Sequence, residues 1–330
     1  MRKTAGIFAA LIIALFLAGC GQSRPAPAEG ALRVVATIFP QYDFVRHIAG
    51  DRVALTMLLS PGAESHGFEP TPRDIIAINN AHLLIYVGGH GDVWVNPILA
   101  SLGREDLRTV ALLDLVDAVE QEIVEGMEIH HAHDHAHGHD HHAHAHAHTH
   151  HTHEPHYDEH VWTCPRNAIV IVRALADILA ELDPDNASFF RENAAAYIAE
   201  LQELDRAFAG VVADAARRTV IFGDRFPFRY LTDTYGLTYF AAFTGCSAET
   251  QASPATIAFL IERIRQEDIP VVFHIEFSNR LIANVIAEAT GARLLELHSL
   301  HNVSHADFTA GVTYLDLMRR NVETLREALN

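Results

Sequence analysis

Between residues 183 and 217 the apolar positions Phe190, Ala194, Tyr197, Leu201, Leu204, Phe208 and Val211 follow one another at alternating intervals of four and three. Only a helix puts such positions on one face. Asp183 is placed to cap it, and Pro184 suits a first helical position. The spacing predicts a single helix of about 30 residues, roughly 45 Å long at 1.5 Å per residue. A rod of that length reaches past any one small unit. It reads as a stiff connector between two.

The flanking sequence fits that role. Over 31–182 the short apolar runs "LRVVATI", "VALTMLL", "AHLLIYV" and "LRTVALL" alternate with helix-compatible segments such as "TPRDIIAINNA". Over 218–330 the pattern returns as "RTVIF", "LTYFAAF", "IPVVFHI" and "ARLLELH", with helix candidates at 254–267, 279–290 and 309–328. Runs apolar on both faces belong to parallel sheets covered by helices. The expected fold class is α/β: two lobes, each a mainly parallel four-stranded sheet flanked by helices, joined by the long helix.

The N-terminus stands outside this pattern. Arg2 and Lys3 precede an apolar run from Ala5 to Ala18 that ends in "LAGC". The run is shorter than the about 20 residues of a membrane span, so residues 1–20 read as a secretory signal. The Pro-, Ala- and Gly-rich segment 21–30 reads as a flexible tether. Formal net charge is −18 with histidine neutral. That excludes nucleic acid as a partner and suits a body that attracts cations. Cys164 and Cys246 remain beyond the signal, and the sequence leaves open whether they pair.

Ligands of open parallel sheets bind beyond the carboxyl ends of the strands. The segments there carry His66 and Glu69, then His90, in the first unit. In the second they carry Asp224, then His274 and Glu276, then His298, His301 and His305. His160 lies in "DEHVWTCP", just before the first unit ends. His47 and His82 flank regular elements and read as structural. Imidazole and carboxylate with scarce thiolate suit Zn²⁺ or Mn²⁺ better than Cu⁺.

"SHGFEPTPRD" and "DEHVWTCPRN", on either side of a histidine-rich insertion, resemble motifs of the zinc/manganese (ZnuA/TroA-like) substrate-binding lipoproteins of ABC importers. So do "TIFPQYDFVRHIAGD", "HLLIYVGG" and "IAEATGARLLEL", so the resemblance covers essentially the whole chain after the signal. It implies two α/β lobes with metal in the cleft, and His66 and His160 as ligands from the first lobe. It also implies lipidation at Cys20, an extracytoplasmic location on a bacterial membrane, an ABC permease with its ATPase as partners, and a monomer. The chain departs from the family at Gly223, where a third ligand is usual, and at His298, where the fourth is usually Asp. His298 and then Asp224 are the ligands expected from the second lobe; Glu69, Glu276 and His301 are expected to orient them. Imidazole in place of carboxylate favours zinc over manganese; nickel stays open.

"HAHDHAHGHDHHAHAHAHTHHTH" fills residues 131–153, within a loop, 129–157, expected to lack fixed structure. Neutral imidazoles bind zinc near neutral pH, but many overlapping ligand sets compete. About ten equivalent registers add only about 1.4 kcal/mol, against roughly 1–2 kcal/mol per residue ordered. The tract is expected to be a weak, exchanging zinc binder, accessory to the cleft. Two other classes stay open: a metallohydrolase using Glu276 or Asp224 as base, which no HExxH or nucleophile-elbow motif supports, and a surface metal store or adhesin. The chain reads as a zinc carrier and not an enzyme.

Overall fold

The computed structural model describes residues 30–65, 67–127, 156–246 and 252–330. Position 66, Cys20 with the signal, and the whole histidine tract, 131–153, lie outside the described residues.

All eight apolar runs form strands. The first lobe holds β1 (Leu32–Ala36), β2 (Val53–Met57), β3 (Leu83–Tyr86) and β4 (Arg108–Ala111), with α1 (Phe39–Ala49), α2 (Pro72–Asn80) and α3 (Val95–Leu102) between them. After α4 (Pro165–Leu182) and α5 (Ala187–Ala213), the second lobe holds β5 (Thr219–Phe226), α6 (Arg229–Tyr235), β6 (Thr238–Thr244), α7 (Pro254–Glu267), β7 (Val271–His274), α8 (Leu281–Thr290) and β8 (Arg293–Glu296). Two helices, α9 (His305–Ala310) and α10 (Tyr314–Leu329), close the chain. The sheets have orders β2-β1-β3-β4 and β6-β5-β7-β8, parallel throughout. In each, the order reverses beside the first strand, which opens a crevice at the carboxyl ends.

Alternate residues of each strand feed different cores. Val35, Leu58 and Leu84 pack with Ile78 and Val95 under α2 and α3, on the outer face of the first sheet. Ile221 and Val272 pack with Leu260, Ile264 and Ile286 under α7 and α8, on the outer face of the second. The inner faces share one continuous core: Val34 and Ile85 join Phe222, Phe273 and Leu317 through the helices between them. The long helix does this. All of its stripe from Phe190 to Val211 is buried, and α5 packs on α4, on α1 of the first lobe and on α10 of the second. Each fully buried Leu or Phe contributes about 1.5–3 kcal/mol, so the connector stabilises both lobes at once.

Two helix limits differ from expectation. Pro184–Asn186 form a 3-10 turn, and the α-helix starts at Ala187, because the Asp183 carboxylate accepts from the Asn186 side-chain amide (2.8 Å). The segment expected as one helix over 309–328 breaks at Gly311, in the left-handed region at φ 76°. It restarts at Tyr314, where Thr313 and Asp316 cap each other through side chain and backbone. Cys164 and Cys246 are free thiols. The first contacts Thr234 Oγ1 at 3.2 Å, and burial first, then Glu159, pushes the second well above the usual thiol range. No helix among the described residues is long and apolar enough to cross a membrane.

Candidate metal site

His160 ends an extended segment that enters the cleft from the first lobe. Its side chain is 1% exposed. One oxygen of Asp158 accepts both the His160 backbone N–H and its ring Nδ1, each at 2.9 Å. A carboxylate only accepts, so Nδ1 carries a proton, and in the neutral ring Nε2 is the nitrogen with the lone pair. The Tyr230 hydroxyl, from α6, donates to the Asp158 carbonyl at 2.7 Å and fixes the segment from the other lobe.

The second lobe answers with the loop after β8. The His301 ring stands 4.7 Å from the His160 ring, nearly perpendicular at 86°, and 4.7 Å from the Trp162 ring. Phe39 N–H, at the start of α1, donates to the His301 carbonyl at 3.3 Å. Trp162 Nε1 donates to Ser299 O at 2.8 Å. Leu300, between Ser299 and His301, is buried with φ 65°; a non-glycine residue there is strained and must be held by its surroundings. The same loop reaches the segment that leads to His66. Asn302 Nδ2 donates to Ser60 O (2.7 Å) and Ala63 O (2.9 Å), and Gly62 N to Val303 O (2.8 Å).

The other expected ligands are engaged elsewhere. His298 Nδ1 accepts from Leu300 N–H at 3.0 Å and lies 3.6 Å from Glu276. Glu276 accepts from Ser299 N–H and Oγ, both at 2.6 Å. Asp224, at a register shift in β5, accepts from Arg225 N–H (2.8 Å) and Ile275 N–H (3.3 Å). Gly223 admits no side chain: a Cβ would lie 2.4 Å from the Ala283 Cα of α8. A cavity of about 240 Å³ opens there, lined by Glu64 of the first lobe and by Asp224, Arg225, Glu276 and Phe277 of the second. Arg225 pairs with Glu64 across it at 3.7 Å. Glu69 is exposed on the loop before α2, and His305 is exposed at the start of α9. His274 is buried, with Nδ1 bonded to Ile275 O at 2.9 Å. His47 and His82 hold their own elements through Asp43 O and Arg33 N–H.

Thus the described residues bring His160 together with His301, while His298 and Asp224 turn toward backbone. With position 66 undescribed, no group of three metal-binding side chains stands complete among the described residues. Asp158 was missed in the sequence, although a carboxylate two residues before a candidate ligand is a legible signal for an orienting partner.

A family model described as zinc-uptake complex component A, periplasmic, matches residues 34–328. The zinc-binding lipoprotein AdcA of Streptococcus pneumoniae (strain ATCC BAA-255 / R6) is 30% identical over 328 residues, which cover 99% of this chain and 61% of that protein. The chain therefore spans less than two thirds of the length of those relatives. The high-affinity zinc uptake system protein ZnuA of Bacillus subtilis (strain 168) is 30% identical over 332 residues, 99% of this chain and 98% of that one. The crystal structure of the Zn(II)-bound ZnuA-like domain of S. pneumoniae AdcA superposes with a TM-score of 0.71 at 27% identity, covering 91% of this chain and 99% of that one.

Proposed function

The chain belongs to the periplasmic zinc-uptake component A family, and from that premise we propose that it captures Zn²⁺ in the interlobe cleft and delivers it to the permease of an ABC importer. One observation carries the reading. A zinc ion about 2.1 Å from each ring nitrogen holds two imidazole centroids roughly 5 Å apart in a tetrahedral site; the ring centroids of His160 and His301 stand 4.7 Å apart. His66, His160 and His301 form the ligand set, with His298 and Asp224 behind them, and Asp158 fixes the proton on the far nitrogen of His160.

The protein acts as a carrier and not as a hydrolase. Asp224 and Glu276, the two carboxylates placed to serve as a base, are both occupied by N–H and O–H donors. The names of the relatives as zinc-binding lipoproteins support an extracytoplasmic position, held through Cys20. Calorimetric titration of the metal-stripped protein tests the reading. One tight zinc site per chain, with manganese weaker, is expected; absence of a tight zinc site refutes it.

A further inference from the structure

By its place in the chain His160 belongs to the first lobe, yet the second lobe touches each of the three residues that end in it. The Tyr230 hydroxyl donates to Asp158 O at 2.7 Å and accepts from Val119 N–H at 3.3 Å, so one group holds two neighbouring segments. The Cys246 thiol meets the backbone of Glu159, whose carboxylate reaches back to Gly91 N–H of the first lobe at 2.8 Å. Gly245 lies against the His160 ring itself. Beyond Val119 the chain stays on the second lobe. Glu122 pairs with Arg229, Glu125 pairs with Arg263 at 3.1 Å, and a Cβ at Gly126 would stand 2.2 Å from Cδ1 of Phe259.

The contact at Gly245 decides where the ring can be. β5 and β6 end side by side, with Phe226 in register with Thr244, and the next residue along passes over the imidazole. A Cβ there would stand 2.8 Å from Cε1 and 3.0 Å from Nδ1 of His160, and 2.8 Å from Phe226 O. The φ of Gly245 lies outside the left-handed region, so what glycine supplies is room. Phe226 is 2% exposed and stacks on Tyr239 at 3.6 Å, which fixes that carbonyl. The ring is held on its other sides by Asp158 at Nδ1, by Trp162 at 5.5 Å and by His301 at 4.7 Å. A methyl group at position 245 would therefore press on Nδ1 and Cε1 and drive the ring off the Asp158 oxygen. Ligand side chains must be held to within about 0.5 Å to bind metal well.

We propose that Gly245 is a positioning residue for zinc capture: bare backbone of the second lobe against which the first-lobe ligand His160 is set, with the Tyr230 hydroxyl holding the segment that carries it. The ligand is then in place only while the lobes are apposed. The positioning stands on these contacts alone; its value for zinc rests on the zinc reading of the cleft.

Ring-nitrogen NMR of the metal-free full chain, with the His160 signals assigned by their loss in His160→Gln, tests the positioning. Wild type is expected to show one tautomer, protonated at Nδ1, and Gly245→Ala a mixture. Tyr230→Phe removes a hydroxyl without adding volume, and it carries the same expectation if Gly245→Ala does not fold. Unchanged ring signals in a folded variant overturn the positioning. Chelator competition tests its value for zinc. Gly245→Ala is expected to weaken zinc about 10- to 100-fold, and to add no further loss in a His160→Ala background. An equal loss in both backgrounds would mean that position 245 acts through general packing, and overturns the proposal. A disturbed ring with wild-type zinc affinity would sink His160 as a ligand and leave the positioning standing.

Discussion

Asp158 closes on His160 through one oxygen that takes both its backbone N–H and its ring Nδ1. The clamp sets the tautomer and, on the zinc reading, leaves Nε2 as the ligand atom. Removing an orienting carboxylate of this kind costs about 10- to 100-fold in metal affinity. Asp158→Ala is therefore expected to bind zinc about 10- to 100-fold more weakly, read by competition with a chromophoric chelator. Wild-type affinity in that variant would mean the clamp orients nothing.

The three histidines of the last loop separate by geometry. His301→Ala is expected to weaken zinc by at least about tenfold, roughly 1.4 kcal/mol. His298→Ala should cost less, because its Nδ1 already accepts from Leu300 N–H, and His305→Ala should change nothing measurable. A larger loss from His298→Ala than from His301→Ala would reverse the assignment.

Gly223 is a packing requirement. The Cβ of Gly223→Ala would meet both backbone and side chain of Ala283, and overpacking of this kind costs about 1–3 kcal/mol. Thermal denaturation should show the melting temperature reduced, with Gly210→Ala, whose Cβ meets nothing within 4 Å, as the control that does not fall.

Asp92 makes stability depend on pH. Burial above all raises its carboxyl from 3.8 to about 6, against the lowering effect of two backbone N–H bonds. The folded chain then holds this proton where the unfolded chain has lost it, so stability falls as pH rises from about 4 to about 6, by up to about 3 kcal/mol. Asp92→Asn keeps an acceptor for Val87 and Gly88 and should flatten that slope. Denaturant unfolding at pH 4, 5, 6 and 7 (about one pH unit apart) measures it; parallel curves for the two proteins would contradict the burial argument.

Deleting residues 130–156 should remove several weak zinc sites and leave one tight one, because no single register of the tract is favoured over its many equivalents. Calorimetry that finds the tight site gone would place the tract inside the main site. In the intact chain the tract should release zinc first below about pH 6, where its imidazoles take up protons.

The strands were legible because each is a short run apolar on both faces, and the long helix because its stripe alternates by four and three. The break before α10 was legible too, in Thr313 and Asp316 three residues apart, but the apolar pattern across Gly311 masked it. The start of α5 was not, since Asp183 spends its carboxylate on a side chain. In the site, His160 carried a motif, whereas the choice between His301 and His298 turns on how Phe39, Trp162 and His160 of one lobe meet a loop of the other. Spacing along the chain holds no record of that meeting. The fit of α8 onto Gly223 is of the same kind.

The core that joins the inner faces of both sheets has a mechanical consequence. Swinging the lobes apart would strip water-excluded contacts from Phe222, Phe273, Leu201 and Phe208, at a cost that one bound ion does not offset. Any change on zinc binding is therefore expected at the lip of the cleft, in the segments 275–282 and 298–304, over a floor held by that core. On the zinc-carrier reading, a receptor is expected to distinguish the loaded from the empty chain by the surface of that lip and not by its outline.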